Sequence, residues 1–149
     1  MKSLSEIETV SKRSTRAAGF SWGIAEEVGK NIRILELFGL GGIISLNYYF
    51  RVKNKKKYEK LHLISSENKI SKSEFCPILA GLSFLDQVRS LEDLKEIKLE
   101  KLAFPILFLP FVSRASEIIG NRIFIKIDEK EYLMNFNSSI YKYSISYYF

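Results

Sequence analysis

The stretch Ala18-Gly19-Phe20-Ser21-Trp22-Gly23-Ile24-Ala25-Glu26-Glu27-Val28-Gly29-Lys30 holds the only tryptophan, three of the eight glycines and two adjacent carboxylates. Its periodicity is otherwise helical. A glycine inside a helix costs roughly 1 kcal/mol relative to alanine, so three in one segment need a reason. Phe20, Ile24, Val28, Asn31, Leu35 and Phe38 fall within an arc of roughly 80° at about 100° per residue, the core-facing stripe of a helix. Gly19 followed by Ser21 predicts a break, with a glycine cap ending one helix and a serine starting the next. The arc opposite the stripe carries Trp22, Glu26, Gly29 and Arg33, with Gly19, Gly23 and Lys30 alongside. Either Gly19 and Gly23 admit another backbone, or Trp22 walls a small-ligand site. The spacing favours packing.

Working outward, Ser3 and Glu6 have the spacing of a capping box, and Leu4, Ile7 and Val10 form a short apolar stripe after it. Gly39-Leu40-Gly41-Gly42 stops the second helix, and residues 43–50 read as a third. Residues 53–72 are polar and predict an exposed loop with a short strand at 61–64. Ser73 and Glu74 precede a buried helix over 75–85, with Pro77 in its first turn. The charged run 87–101 reads as a surface connection. Phe104-Pro105-Ile106-Leu107-Phe108-Leu109-Pro110 is continuously apolar and predicts a buried strand, and 113–119 a short helix ending at Gly120. Ile123, Ile125 and Ile127 alternate, residues 128–131 turn, and 132–136 return as a hairpin. After a turn at Asn137-Ser138, Tyr141, Tyr143, Ile145 and Tyr147 alternate in a final strand. The whole predicts one α+β domain over residues 1–149, a helical N-terminal half with a C-terminal antiparallel β-meander packed on it.

Size and composition fit that picture. The chain has 149 residues, 46% of them hydrophobic and 27% charged, enough to bury its own core. A single cysteine, Cys76, excludes an internal disulfide framework and fits a reducing compartment. The N-terminus shows no secretory h-region, and no apolar window reaches the ~20 residues of a membrane span. The expectation is a cytoplasmic protein with no membrane partner. Net charge is +6, of which +5 lies in residues 51–60, where six basic residues face one acid.

For chemistry, Trp22 supplies a flat apolar wall, Ser21 lies beside it, and Glu26 or Glu27 is the candidate general acid or base. Arg16, Lys30 or Arg33 would anchor an anion. Adjacent glutamates diverge by about 100° on a helix, so they do not form a catalytic dyad. Glu26 and Lys30 have the spacing of an i,i+4 ion pair. Gly39-Leu40-Gly41-Gly42-Ile43-Ile44 fails the dinucleotide fingerprint and lacks the Lys-Ser/Thr of a P-loop. His62 is the only histidine and with one cysteine builds no His/Cys metal site. Cys76 reads as a small buried hydrophobe. Lys53, Lys55, Lys56 and Lys57, with Tyr48, Tyr49 and Tyr58 interleaved, are candidates for nucleic-acid phosphates and bases, although a solvated loop explains them more simply.

The segment from Arg16 to Gly29 resembles a small, uncharacterised bacterial protein family with an R-x-A-G-x-S-W-G-x-A-E-E-x-G motif near the N-terminus. Pro105, Leu107, Leu109, Pro110, Phe111, Arg114 and Ala115 resemble a second segment of that family, P-x-L-x-L-P-F-x-x-R-A. The resemblance implies that both segments belong to one module and carries no reaction with it. It makes Arg114 a candidate partner for Glu26 or Glu27, first as a structural salt bridge.

Three functions emerge in order. The first is a binding or accessory protein engaging a partner subunit or a small anionic metabolite through the Trp22/Glu26 helix, with no cofactor or metal. The second is an enzyme using Glu26 or Glu27 as general base on a carboxylate-bearing substrate. The third is a nucleic-acid binder acting through residues 51–60. An aromatic edge at Tyr147-Tyr148-Phe149 suggests a homodimer.

Overall fold

The structure, a computed structural model, describes residues 3–135 and the backbone of residues 140–143. In chain order the elements are α1 (Leu4–Ala17), α2 (Trp22–Leu37), α3 (Gly42–Lys53), β1 (Glu67–Asn68), α4 (Pro77–Leu91) and β2 (Lys98–Leu99). A 3-10 turn (Pro105–Phe108) then leads into α5 (Leu109–Ile119), followed by β3 (Ile123–Ile127), β4 (Lys130–Met134) and β5 (Ile140–Tyr143). The fold is α+β, with the helices mostly N-terminal and an antiparallel sheet ordered β3-β4-β5 at the C-terminal end.

Local chemistry sets the helix boundaries. The Ser3 hydroxyl accepts from the Glu6 N–H and the Glu6 carboxylate accepts from the Ser3 N–H, completing the expected capping box. The break between α1 and α2 falls where Gly19 and Ser21 predict it. Gly19 has φ +103°, a backbone state that L side chains rarely adopt, and the Ser21 hydroxyl caps α2 by accepting from Ile24 N–H.

Helix α2 buries Val28, Asn31 and Leu35 as its stripe requires, joined by Ala25 and Ile32, and Phe20 is buried just ahead of the helix. Phe38 is more exposed than the stripe implies, because the helix ends one residue before it. Helix α1 lies along the opposite arc, so that face meets a backbone. The glycine that permits it is neither Gly19 nor Gly23, beside which no atom would lie within 4 Å of an added Cβ. It is Gly29, where a Cβ would fall 2.8 Å from the Glu8 carbonyl oxygen and 3.3 Å from Lys12 Cβ. A second close approach joins α4 and α5, where Gly81 lies against the Phe111 ring. Around it Ile78, Leu109, Phe111 and Val112 are fully enclosed, and Leu46 and Tyr49 close the core from α3.

Three segments depart from expectation. Residues 61–64 form no strand, although Leu61 and Ile64 are buried. The pairing falls instead on β1 and β2, which run parallel, because the Asn68 amide bridges the Ser65 and Lys98 carbonyls. Helix α4 runs on to Leu91, so only the later part of 87–101 is a connection. The proposed strand over 104–110 is helical. Pro105 and Pro110 each sit in the first turn of a helical segment, where a missing N–H costs nothing, and Phe104 at φ +44° redirects the chain into the turn. The short helix expected from 113 therefore starts at Leu109.

The hairpin forms with a tighter turn than expected: Lys130 and Glu131, read as turn residues, are the first residues of β4 and pair with β3. Ile127 pairs with Lys130 across Asp128-Glu129, and Ile123, Ile125 and Ile127 share the half-buried face. The Ser116 hydroxyl donates to the Asn121 and Met134 carbonyls, tying α5 to the sheet. The Asn137-Ser138 turn, Ile145, Tyr147 and the aromatic edge proposed for a dimer lie outside the described residues, as do the side chains of Tyr141 and Tyr143. Among the described residues no helix is long and apolar enough to cross a membrane.

Candidate functional site

Trp22 is the first residue of α2, and 55% of its surface is exposed. Its ring rests on cations from α1: Arg16 Cζ lies 5.4 Å and Lys12 Nζ 5.7 Å from the ring centroid. Such contacts contribute about 0.5–1 kcal/mol each at exposed positions. Both cations are also fixed elsewhere. Arg16 Nη1 donates to the Phe20 carbonyl at 3.2 Å, and Lys12 Nζ meets Glu26 Oε1 at 3.3 Å. Glu26 thus reaches across to α1 rather than along its own helix to Lys30, which is exposed. One turn further, Arg33 and Glu8 close the same seam at 3.8 Å.

Glu27 points elsewhere, as one residue's rotation on a helix requires. Its carboxylate pairs with the Arg114 guanidinium of α5, and both side chains are less than a third exposed. The two glutamates therefore serve different helix pairs, and Arg114 braces α2 against α5. Ser21 spends its hydroxyl on the α2 cap. Of the residues proposed for a ligand, Arg16, Trp22 and Glu26 share one rim. Lys30 and Arg114 make no contact with that rim among the described residues.

Asn31 holds a position in the core-facing stripe and brings an amide with it. It is 2% exposed, and neither its Oδ1 nor its Nδ2 has a hydrogen-bond partner among the described residues. Buried amides are ordinarily paired. An amide at a core-facing position was the signal available in the sequence.

The lysine candidates do not act as a set. Lys53 Nζ turns inward, donating to the Ala18 carbonyl at 2.9 Å and lying 4.5 Å from the Phe20 ring centroid. Lys56 pairs with Glu74 at 2.6 Å, whereas Lys55 and Lys57 are exposed. Just beyond them the Glu59 carboxylate accepts from the Ser71 hydroxyl and from the Ser71 and Lys72 N–H groups, which hold it below the usual carboxylate range.

His62 is exposed, and among the described residues no three His, Cys, Asp or Glu groups cluster for a metal. Cys76 is buried as expected, with its sulfur 2.9 Å from the Tyr49 hydroxyl. Tyr49 stacks on Tyr58 and meets Phe104 edge-on, and burial pushes its hydroxyl far above the ordinary tyrosine value. An open crevice of about 490 Å³ lies between Ile106 and the hairpin residues Ile127, Asp128, Glu129, Lys130 and Tyr132, and none of the residues proposed from the sequence lines it.

The fold and the rim define a small helical-hairpin module with an α+β body. The chain belongs to the family described as "Protein of unknown function (DUF3726)", which matches residues 2–76. That match takes in α1, α2 and α3 and ends before α4. No curated protein and no solved structure matches the chain.

Proposed function

We propose that this protein is a bacterial, cytosolic binding module that engages a partner protein through the rim formed by Trp22, Arg16, Lys12 and Gly23. The Arg16–Gly29 motif would be its family signature. The observation that carries this reading is the pairing of a half-exposed tryptophan with a glycine that nothing inside the molecule requires. Gly23 has no neighbour within 4 Å of an added Cβ, yet glycine weakens a helix. Together they leave a low shelf beside a large flat ring. Tryptophan and arginine are the residues that most often dominate protein interfaces, and the Arg16 guanidinium beneath the ring, which forms no ion pair among the described residues, favours a partner with an acidic segment.

A partner protein is preferred to a small metabolite because a ring so exposed does not wall a pocket. A catalytic role for Glu26 or Glu27 is disfavoured because each carboxylate already holds a cation from another helix. The test uses the chain's single tryptophan as its own reporter. Tagged wild-type protein and Trp22→Ala are used to capture partners from cells of the source. A protein retained by the wild type and lost with Trp22→Ala and with Arg16→Glu, which also shifts Trp22 emission to the blue when purified and added back, supports the reading. Capture that Trp22→Ala leaves unchanged, or emission that the added protein does not move, overturns it.

A further inference from the structure

The helix α3 has two unlike faces. Leu46 and Tyr49 are buried in the core, whereas Ile44, Tyr48 and Val52 are exposed, Ile44 at 65% and Tyr48 at 53%. These three recur every fourth residue and so form one row along the helix, about 12 Å long at 1.5 Å per residue. Leu37 and Phe38, at the end of α2 just before the helix, are exposed as well. Beside the row run Asn47 and Arg51, also exposed, with the Arg51 guanidinium 5.7 Å from the Tyr48 ring centroid, and the exposed Lys55 follows just past the helix end. Lys57 and Lys60 extend the charge past the helix end. Between Leu37 and Tyr58 the sequence has no acid. Among the described residues none of Arg51, Lys55, Lys57 or Lys60 pairs with a carboxylate.

We propose that this face of α3 docks on an anionic lipid surface. An apolar ridge with cations along one side and around its end is complementary to a bilayer interface: aliphatic side chains enter the acyl boundary while lysine and arginine heads reach the phosphates. Tyr48 has the apolar body and polar tip that suit headgroup depth. The face is a convex ridge, which a deformable lipid surface accommodates without a preformed groove. A nucleic acid would use the cations and Tyr48 but would leave Ile44 and Val52 against phosphate and water. The row is three side chains long, so neither insertion nor charge suffices alone, and docking needs both signals. The cytoplasmic leaflet is the anionic one, which agrees with the cytosolic setting proposed above. The surface uses no residue of the Trp22 rim.

The experiment is co-sedimentation of the full chain with phosphatidylcholine vesicles containing about one third phosphatidylserine, a composition that supplies the anionic surface. Pure phosphatidylcholine vesicles serve as the neutral control. The expected result is recovery with the anionic vesicles only, weakened by salt. Ile44→Glu and the double variant Lys55→Glu/Lys57→Glu should each lower the bound fraction about tenfold, with far-ultraviolet circular dichroism unchanged. Protein that stays in the supernatant with anionic vesicles overturns the proposal, as does binding that Ile44→Glu leaves intact. Retention by a mixed-sequence single-stranded oligonucleotide in place of the vesicles would assign the face to nucleic acid and overturn it equally.

Discussion

Of the helix pairs that a glycine closes in this molecule, two are closed differently. Between α1 and α2, Gly29 faces the backbone carbonyl of Glu8, and the seam is finished at its rim by Lys12–Glu26 and Arg33–Glu8 ion pairs. Between α4 and α5, Gly81 faces the ring of Phe111, itself fully buried. The first seam is shallow and polar at its edge, so charges and a half-exposed tryptophan can sit on it. The second is closed by fully buried side chains, with a hydrogen bond from Arg89 to the Ile118 carbonyl at its edge. The contrast shows why the candidate rim belongs to the first pair: partner surfaces need fixed but accessible groups, and a deep glycine contact offers none.

The largest effect is expected at the second seam. Gly81→Ala drives a methyl into the Phe111 ring, an overpacking that should cost about 3 kcal/mol and lower the urea midpoint accordingly. A wild-type midpoint would show that α4 and α5 can part more easily than their packing indicates. Breaking the brace between the two pairs comes next. Arg114→Ala leaves Glu27 half-buried and unpaired, and should cost about 1–3 kcal/mol. If Glu27→Gln added to Arg114→Ala restores most of that loss, the charge left behind is the cause. An additional, independent loss would instead place the effect in packing.

The third prediction divides two glycines of one helix. Gly29→Ala must push Lys12 and the Glu8 carbonyl aside and should cost about 1–2 kcal/mol. Gly23→Ala meets nothing and should gain up to about 1 kcal/mol from helix propensity. Thermal melts that move in the same direction for both would erase the distinction on which the rim is built.

The smallest effect is a slope with pH. Burial raises the Tyr49, Tyr58 and Tyr132 hydroxyls above the ordinary value of 10.0, so the folded chain holds protons that the unfolded chain releases. Their contribution to stability is complete below that value and is lost as pH rises from there through the raised folded values. Urea midpoints should fall above about pH 10, and Tyr49→Phe should flatten the fall.

Much of this architecture was legible because local rules decided it. Ser3 with Glu6, Gly19 with Ser21 and the isoleucines of β3 each act within a few residues, and each element forms where its residues predict. The 104–110 segment differs from its expectation because an apolar run of that length fits a strand or a buried helix equally, and the proline positions that settle the matter make sense only once the turn at Phe104 is known. The site was legible in composition and not in assignment. The stretch around Trp22 was singled out, but which glycine meets α1 depends on how two helices cross, and no spacing along one helix contains that information. Glu27 and Arg114 are 87 positions apart in sequence and meet only through the packing of α5 on α2. Asn31 kept the helical period and so passed as part of the stripe.

The Glu27–Arg114 brace has a practical consequence for anyone cutting the chain by family boundaries. The matched segment, residues 2–76, ends at the N-cap of α4 and leaves α5 behind. A fragment with those limits would carry Glu27 with no counter-ion, and Ile32, Leu35, Leu46 and Tyr49 without the α4 and α5 residues of their shared core. The family boundary is a limit of sequence similarity, and it cuts through the packing that α4 and α5 share with the first three helices.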